Sequence, residues 1–383
     1  MDFTLSKEHQ MIQKAVREFA QKELEPVVDE FEEKEAFPLE VFKKAGDLGF
    51  LGPFFPDEYG GGDSDLLTNA IIIEELSKVS CSFALSVDVS MIYFGYNLLK
   101  QGTAEQKCKY LPSLINGETI GCFCLTEPNA GSDALSVQTS AVIDGDFYII
   151  NGSKIFITNA PIADHFMVVT RTGERQGIQG GTTFLLDKNT PGMEVVEMHG
   201  KLGCKSSPTG EIYFDNVRVH KSQILGAESG KGFIGMMNSL DMERAMAPAL
   251  IIGMAQECLD RSLAYAKKRE QFGHPISEYQ LIQAKLAEMA IGIELARTYM
   301  YRVIWMVEQG LDVTKEAAIL KYYSTKVTTS IALEAIQIHG GYGYMKEYRV
   351  ERILRDAKLM EIGGGTNEIQ LMIIARNLLK SRS

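Results

Sequence analysis

The sequence lacks both a surplus of basic residues and a long apolar run, the features that would indicate binding to nucleic acids or insertion into membranes. Its 383 residues include 39 Lys and Arg against 50 Asp and Glu, which gives a formal net charge of -11. A sequence-independent nucleic-acid binder needs a basic face, so we expect no such partner. The start, MDFTLSKEHQ, has no apolar signal segment, and no run long enough to cross a bilayer follows. We therefore expect a cytoplasmic protein without membrane insertion.

Common catalytic and metal-binding signatures are also missing. The sequence contains no G-x-x-x-x-G-K-[ST], no H-E-x-x-H, no G-x-S-x-G, and no G-x-G-x-x-G after a predicted strand. The six histidines are not spaced as ligands with cysteines or carboxylates, so no metal site is expected. The six cysteines are scattered, and the close pair Cys122 and Cys124 forms C-x-C rather than C-x-x-C. We interpret all six as reduced thiols of the core.

Hydrophobic spacing divides the chain into three blocks. Apolar residues recur at steps of three and four from Leu5 to about Leu114, which predicts helices. Short runs rich in Ile, Val, Phe, Tyr and Thr follow from about Ile120 to Leu225 and predict strands. Helical spacing then returns from about Gly232 and includes a long helix from Glu278 to Gln309, which favours a bundle. We predict an α+β multidomain fold with an N-terminal helical domain at 1–118, a middle β-domain at 119–230 and a C-terminal helical bundle at 231–383.

Two local patterns lead to further predictions. Asn151-Gly152 is typical of a tight turn, so residues 147 to 158 are predicted to form a hairpin. The acidic run from Asp29 to Glu35 is predicted to be a solvated helix face. Further strands are predicted at 166–170, 182–186, 194–198 and 212–214.

Five segments combine glycines or a lone cation with hydrogen-bonding side chains, as ligand-binding loops do. They are LTEPNAGSD (125–133), KIFITNA (154–160), KKREQFG (267–273) followed by Gln280, QIHGGYGY (337–344) and RDAKLMEIGGGTNEIQ (355–370). In this order and spacing they resemble the acyl-CoA dehydrogenase family, and the resemblance covers essentially the whole chain. It implies a helical domain, a β-domain and a four-helix bundle, with one FAD per subunit of a homotetramer.

The resemblance also implies roles in binding the cofactor. Thr126, Phe156 and Thr158 correspond to contacts of the flavin ring, although Phe156 could also be a core residue. Arg269 corresponds to a residue that binds the pyrophosphate of a neighbouring subunit's FAD, although it could instead pair with a surface carboxylate. The other FAD contacts that the resemblance implies are Phe272, Gln280, Gln337, Gly340, Gly341 and Thr366, and Ser132 is expected to contact cofactor and CoA.

The C-terminal loop departs from the family's commonest pattern. Most members have Tyr-Glu-Gly-Thr there, and the glutamate removes the α-proton of the substrate. This chain has Gly363-Gly364-Gly365-Thr366, and glycine has no side chain that could accept a proton. Without a tyrosine and a glutamate, the acyl pocket is expected to be wider, which favours a branched or cyclic acyl group. The backbone N–H of Gly364 is still expected to polarise the thioester carbonyl.

A subset of the family, including isovaleryl-CoA dehydrogenases, has glycine in this loop and carries its glutamate in a Leu-x-x-Glu-Arg sequence. This chain reads Leu240-Asp241-Met242-Glu243-Arg244, so the resemblance makes Glu243 the expected base. A helix-borne glutamate beside apolar residues is partly desolvated, which raises its pKa and suits it to this task. The alternative is a surface glutamate paired with Arg244. Asp241, Arg244, Gly363 and Ser132 are predicted to contact the substrate.

Asp88 is a second candidate base. It is the only charged residue in an otherwise apolar stretch from Cys81 to Leu99, and a lone buried carboxylate is costly unless it is paired or functional. If it faces the acyl group, it could remove a proton from a ring carbon far from the thioester, as in dehydrogenases that form cyclic dienes. The alternatives are an exposed or a helix-capping aspartate.

The resemblance therefore implies an FAD-dependent desaturase of acyl-CoA thioesters that passes electrons to an electron-transfer flavoprotein. The substrate predicted from the loop is a short branched or alicyclic acyl-CoA. A 1,4-elimination on a cyclohexenecarboxyl-CoA, with Asp88 as the base, is the alternative reaction. Two further alternatives are a silent member that binds FAD or acyl-CoA without turnover, and an oxidase of the same fold that reduces O₂.

Overall fold

The computed structural model describes residues 4–172 and 177–380. Its first block is helical, and several of its helices begin at side chains that accept a hydrogen bond from the first turn. Ser6 and Asp65 accept from the N–H groups of His9 and Thr68, and Thr103 forms a capping box with Gln106. The helices of this block are α1 (Lys7–Phe19), α2 (Val28–Lys34), α3 (Leu39–Asp47), α4 (Leu66–Val79), α5 (Cys81–Asp88), α6 (Asn97–Gln101) and α7 (Ala104–Ile115).

Helices α5 and α6 are joined without a break by a π-helical segment, Val89–Tyr96. Its wider turn differs from the α-helical spacing on either side, and such segments occur frequently at functional sites. Asp88 is the last residue before this segment, and Tyr93 lies within it.

The second block is a seven-stranded mixed sheet with the order β1-β4-β2-β3-β7-β6, and β5 pairs with β4. Aliphatic and aromatic side chains of these strands, among them Ile150, Phe166, Phe184 and Ile212, form a core of their own. The strands are β1 (Gly121–Cys124), β2 (Ser140–Asp144), β3 (Phe147–Thr158), β4 (His165–Thr172), β5 (Gly181–Asp187), β6 (Met193–Met198) and β7 (Thr209–His220).

The hairpin predicted at Asn151-Gly152 is wrong, because β3 runs through this dipeptide as one strand. Gly152 has a φ of 143° and lies at a register irregularity opposite β7, and a Cβ there would approach the Cα of Thr139 to 2.7 Å. The glycine therefore permits a close approach of strands rather than a turn. The turn lies earlier, between Asp144 and Phe147, and joins β2 to β3. The other four predicted strands lie within β4, β5, β6 and β7.

The third block is again helical. Its helix α10 spans 29 residues, and it confirms the long helix predicted from the sequence with a start two residues later. A short hairpin precedes α10, and its turn residues Phe272 and Gly273 both have positive φ angles. The elements are α8 (Gly232–Met246), α9 (Pro248–Lys268), β8 (Glu270–Gln271), β9 (His274–Pro275), α10 (Gln280–Glu308), α11 (Thr314–His339), α12 (Val350–Met360) and α13 (Asn367–Lys380).

The two helical blocks share one hydrophobic core, in which α4 packs against α9 and residues of α5 contact the same cluster. The order of helices, β-sheet and helices is therefore the one that the hydrophobic spacing predicts. The domain boundaries at 118/119 and 230/231 remain predictions. Among the helices of the described ranges, none has the length and apolarity needed to cross a membrane.

The acidic run on α2 is not simply a solvated face, as the sequence had suggested. Asp29 forms ion pairs with Arg349 and Arg352 from the C-terminal block, and Glu35 pairs with Lys205 from the β-block. Glu32 is buried and accepts hydrogen bonds from Ser82 and Ser206, and one of its oxygens has no partner within the part of the chain that the structure describes. The run therefore joins the three blocks to one another.

Candidate active site

Glu243 lies on α8 in the interior of the protein. Ser239, Met242 and Met246 are buried at helical spacing around it, so the carboxylate belongs to an inward-facing stripe. The side chain is only 3% exposed, and its Oε2 atom has no hydrogen-bond partner among the described residues. This excludes the alternative of a surface glutamate.

Burial raises the pKa of Glu243, and three neighbouring groups oppose that rise. The Tyr93 hydroxyl interacts with the carboxylate as a hydrogen-bond donor, and the charges of Lys321 and Arg244 favour the ionised form. The negative charge of Asp241 raises the pKa of Glu243 further. The result is a carboxyl group with a raised pKa, held beside two cations and a phenol, which are the conditions of a competent general base.

The glycine loop lies directly against this carboxylate. Gly364 follows α12 with a φ of 63°, and a Cβ built there would approach Oε1 of Glu243 to 2.2 Å. A Cβ at Gly363 would meet only a carbonyl oxygen at 3.6 Å. Position 364 is therefore glycine because Glu243 fills the space that a side chain would need, whereas the space beside Gly363 is open.

The neighbours of Glu243 are themselves held in place. Arg244 is buried and pairs with Asp241 at 2.9 Å, and the other oxygen of Asp241 accepts from Thr314 at 2.7 Å. Lys321 is buried on α11 and donates to the carbonyl oxygen of Gly365 at 2.6 Å. Arg244 therefore forms its ion pair with Asp241 on its own helix, while its charge still favours the ionised form of Glu243.

Asp88 is neither exposed nor a helix cap. It is 2% exposed, and its Oδ1 atom has no partner among the described residues. Burial, together with the negative charge of Glu243, raises its pKa well above the ordinary value. Asp88 and Glu243 are therefore close enough to influence each other, and the structure brings both candidate bases to one buried site.

The predicted flavin-ring residues lie on the β-domain. Phe156 has a positive φ of 59° within a register shift of β3, which turns the ring outward, so that it is 62% exposed. Its neighbour Ile155 donates its N–H to the carbonyl of Thr126 at 2.9 Å, and Thr158 ends the same strand. Phe156 is therefore not a core residue, and the backbone of Thr126 is joined to the strand that contains Phe156 and Thr158.

A buried ion pair supports this surface. Lys154 of β3 is fully buried, and its ammonium donates to Glu127 at 2.8 Å and to the carbonyl of Leu125 at 3.0 Å. Burial alone would raise the pKa of Glu127, but Lys154 and the N–H group of Gln138 lower it below its ordinary value. The pair fixes the loop that contains Thr126 to the strand that contains Phe156.

The other predicted cofactor residues form an exposed group around the β8–β9 hairpin and the end of α11. Phe272 is 93% exposed, and the guanidinium of Arg269 lies 5.7 Å from the ring centre of Tyr342. Arg269 forms no ion pair with a described residue, which disfavours its alternative role. Gln280, Gln337, Gly340 and Gly341 are exposed too. No hydrogen bond or ring contact among the described residues connects this group to Phe156.

The remaining predicted residues differ in their surroundings. Ser132 lies exposed in the loop before β2. The Thr366 hydroxyl accepts from the N–H of Ile369 and so caps α13. Gly363 is exposed at the edge of the glycine loop.

Two other features of the described residues lie apart from the predicted site. A crevice of about 780 Å³ lies between α1, α4, α9 and α10, but it contains none of the predicted site residues, and several of its charged side chains pair with one another, as Arg17 does with Glu75. Cys81, Cys204 and Asp356 form a buried group, whose thiols lie 3.5 Å apart and have raised pKa values. The prediction that all cysteines are core thiols is wrong for Cys108, which is exposed.

Comparison with known proteins agrees with this arrangement. The N-terminal, middle and C-terminal domain models of acyl-CoA dehydrogenase match residues 6–118, 122–217 and 230–379. The chain belongs to the acyl-CoA dehydrogenase family. It is therefore an oxidoreductase that acts on CH–CH bonds and depends on FAD.

Similar proteins from three organisms illustrate the range of this family. A probable acyl-CoA dehydrogenase, YngJ, of Bacillus subtilis strain 168 is 45% identical over 99% of this chain and 100% of its own length. The caffeyl-CoA reductase-Etf complex subunit CarC of Acetobacterium woodii is 39% identical over 98% of this chain and 99% of its own. The structure of butyryl-CoA dehydrogenase from Megasphaera elsdenii has a TM-score of 0.96 and is 39% identical, over 99% of this chain and 100% of its own.

The acyl-CoA dehydrogenase fold observed here offers a surface that suits FAD. Phe156 presents an aromatic face beside hydroxyl side chains, and Arg269 presents a cation. A Cβ at Gly340 or Gly341 would meet nothing within 4 Å, so a ligand can approach the backbone there. These properties would fit an isoalloxazine ring, a pyrophosphate and an adenosine, and the roles of the individual residues remain predictions.

Sequence reasoning missed Tyr93, Lys321, Lys154 and Glu127. A signal was available for Lys321, because it is a cation on the buried face of α11 that also includes Ala317, Ala318 and Ser324. Lys154 and Glu127 lie inside two of the motif segments, but their pairing requires the register of β3. No sequence signal predicts the π-helical segment that contains Tyr93.

Proposed function

We propose that this acyl-CoA dehydrogenase desaturates a short branched or alicyclic acyl-CoA at its α,β bond, with Glu243 as the base. The observation that carries the proposal is the contact between Glu243 and the loop glycine, since a Cβ at position 364 would lie 2.2 Å from the carboxylate. Glu243, carried by helix α8, is thus proposed to act from beside the C-terminal loop, in place of a glutamate from the loop itself.

Each residue of the site has a distinct task in this reaction. Glu243 takes the α-proton, and its raised pKa prepares it to accept one. The N–H of Gly364 donates to the thioester carbonyl as negative charge develops on it. FAD, when bound, would supply N5 of its flavin as the acceptor for the hydride of the β-carbon. Asp241, Arg244, Gly363 and Ser132 are proposed to contact the substrate.

The choice of acyl group rests on the space beside the glycine loop. At position 364 Glu243 fills that space, so the glycine there does not widen the pocket. At position 363 a Cβ would meet nothing closer than 3.6 Å, so additional room exists on that side. A branch or a ring needs such room, whereas a straight chain does not.

A panel of CoA thioesters tests this function. The holoenzyme is mixed anaerobically with isovaleryl-, butyryl-, cyclohexanecarboxyl- and cyclohexenecarboxyl-CoA, and bleaching of the flavin absorbance is followed. The proposal predicts bleaching by isovaleryl- or cyclohexanecarboxyl-CoA faster than by butyryl-CoA. If no thioester bleaches the flavin, the chain is the silent family member instead. Peroxide formed in air would identify the oxidase alternative.

One observation favours the alternative reaction, a 1,4-elimination on cyclohexenecarboxyl-CoA. Asp88 is buried where the charge of Glu243 acts on it, one of its oxygens lacks a partner among the described residues, and its raised pKa would make its ionised form a stronger acceptor of a proton from a ring carbon. Bleaching by cyclohexenecarboxyl-CoA alone, lost in Asp88→Asn but retained in Glu243→Gln, would replace the first proposal with this one.

The proposal extends to the partners and to the place of action. An electron-transfer flavoprotein is the proposed electron acceptor, which is supported by the name of the Acetobacterium woodii relative, a subunit of a reductase-Etf complex. A homotetramer is proposed because the exposed group around Phe272 fits a cofactor but has no described contact with the flavin-ring surface of its own chain. We retain the cytoplasm as the proposed location.

A further inference from the structure

The buried ammonium of Lys321 has no role in the reaction as described so far. It lies on α11 and is 2% exposed. Burying an ammonium group is costly unless other groups compensate for the lost hydration. The groups that compensate for this burial therefore indicate which parts of the site Lys321 influences.

One compensating group is the glycine loop. Lys321 donates to the carbonyl oxygen of Gly365 at 2.6 Å, and Gln370 donates to the same oxygen at 2.8 Å. Gly364 and Gly365 both have positive φ angles, and two consecutive glycines leave the backbone free to rotate. A fixed Gly365 carbonyl therefore restricts the orientation of the preceding Gly364, whose N–H is proposed to contact the thioester.

The other compensating group is the proposed base. The charge of Glu243 is the main group that counters the effect of burial on Lys321, ahead of Glu361 and Glu368, whereas Arg244 repels it. Burial lowers the pKa of Lys321 to about 8, so the ammonium remains charged at neutral pH. In return Lys321 favours the ionised form of Glu243, together with Tyr93 and Arg244 and against Asp241.

We propose that Lys321 is a positioning residue that fixes the Gly364–Gly365 turn and keeps the Glu243 carboxylate charged for proton abstraction. The inference rests on the proposed function, because it requires Glu243 to be the base. A lysine on α11 thus connects two parts of the reaction, the donor to the thioester carbonyl and the acceptor of the α-proton. It touches neither the substrate nor the reacting atoms.

The test is the pH dependence of flavin reduction in single turnovers of the holoenzyme, measured anaerobically with the best thioester of the panel. The variants are Lys321→Gln and Lys321→Met, which remove the charge, and Lys321→Arg, which keeps it. Thr328→Val is the control, because Thr328 is buried on the same helix and, among the described residues, its hydroxyl donates only to the carbonyl oxygen of Ile251, at 3.2 Å. On the acidic side of the pH–rate profile, called the acid limb here, the rate falls as the base becomes protonated in the complex.

Both uncharged variants are expected to move the acid limb upward by about one pH unit, since an adjacent opposite charge has an effect of this order. Lys321→Met should also reduce the plateau rate more than Lys321→Gln, because glutamine retains a donor for the loop. Lys321→Arg and Thr328→Val should leave the limb in place. Lys321→Gln decides the question if the methionine variant does not fold.

A limb that stays at the wild-type pH in the uncharged variants would overturn the inference and reduce Lys321 to a structural residue. This failure differs from failure of the proposed base, which is tested separately by Glu243→Gln. If Glu243→Gln reduces the flavin at the wild-type rate, Glu243 is not the base. If Glu243→Gln is inactive and the limb does not move in the Lys321 variants, only the role of Lys321 is refuted.

Discussion

The carboxylate of Glu243 and any side chain at position 364 exclude each other. A Cβ at Gly364 would lie 2.2 Å from Oε1 and 2.7 Å from Cδ of Glu243, closer than van der Waals contact permits. The site therefore has room for a carboxylate from α8 or for a side chain from the loop, but not for both. This relationship makes the glycine a requirement of the base on the helix.

Substituting Gly364 should consequently impair catalysis. Gly364→Ala forces the carboxylate aside and also places a Cβ at a φ of 63°, which costs about 1–2 kcal/mol. Because displacement of a reacting group by about 1 Å can reduce the rate a hundredfold, we expect a loss of about that size in the rate of flavin reduction. Stopped-flow absorbance measures it.

Gly145→Ala is the matched control for this prediction. Gly145 lies in the turn between β2 and β3 and also has a φ of 63°, but a Cβ there would meet nothing within 4 Å, so this variant has the same backbone cost without the clash and should retain the wild-type rate. A Gly364→Ala enzyme as fast as Gly145→Ala would show that the Glu243 carboxylate is not held against the loop during the reaction.

Asp88 should destabilise the fold as the pH rises. Burial raises its pKa in the folded state, so the folded protein binds the proton more tightly than the unfolded chain does. Between the ordinary pKa of 3.8 and the raised folded value, stability therefore falls with increasing pH. Asp88→Asn removes this loss, and we expect its urea midpoint to exceed that of the wild type at about pH 8 and to approach it near about pH 4.

A midpoint difference that does not depend on pH would contradict this prediction. It would mean that Asp88 has the same pKa in the folded and unfolded states and is not desolvated. Glu257→Gln is a useful comparison, because burial also raises the pKa of Glu257, but its carboxylate accepts a hydrogen bond from Arg261. Its pH dependence should be weaker than that of Asp88→Asn.

The Lys154–Glu127 pair should be important for stability and for cofactor retention. Lys154→Met leaves Glu127 without its cation, and breaking a buried pair costs about 3 kcal/mol even where backbone donors remain. Because the pair fixes the Thr126 loop to β3, the variant should also purify with less FAD. Thermal unfolding and the ratio of flavin to protein absorbance measure the two effects.

Lys109→Met is the control for this variant. Lys109 pairs with Asp187 at 3.1 Å on the surface, with both side chains about half exposed, so its loss should cost less than about 1 kcal/mol. Equal losses of stability in the two lysine variants would contradict the importance assigned to the buried pair.

Thiol reactivity should separate Cys108 from the other five cysteines. Cys108 is exposed and the other five are buried, so a thiol reagent should modify one cysteine in the folded protein and all six after denaturation. Cys108→Ser should abolish the rapid reaction. Rapid modification of a second cysteine in the folded protein would contradict the burial of the other five.

Much of the fold could be predicted from the sequence because each block has a distinct hydrophobic spacing. The long helix α10 and the strands β4, β5 and β6 follow from such patterns, which depend on neighbouring residues alone. Asn151-Gly152 misled the prediction because the same dipeptide that suits a turn also permits a bulge where Thr139 approaches closely. Close approaches of this kind depend on the tertiary structure.

The site was predicted only in part for the same reason. Glu243, Gly364 and Asp88 could be identified from a family pattern and from a charge in an apolar stretch. Their proximity could not, because Gly364 meets Glu243 and the charge of Glu243 reaches Asp88 only when α5, α8 and the loop after α12, which are far apart in sequence, come together. Lys321 and Tyr93 belong to this site through packing alone, and the acidic run on α2 gained its partners from two other blocks in the same way.

The most direct test of the account is anaerobic flavin reduction in Glu243→Gln and Asp88→Asn, each compared with the wild type and the same panel of CoA thioesters. Glutamine has nearly the shape of glutamate but cannot accept the α-proton, so Glu243→Gln should keep its FAD and show no bleaching. Asp88→Asn should still bleach with isovaleryl- or cyclohexanecarboxyl-CoA. Bleaching at the wild-type rate by Glu243→Gln would contradict the central claim that Glu243 is the catalytic base.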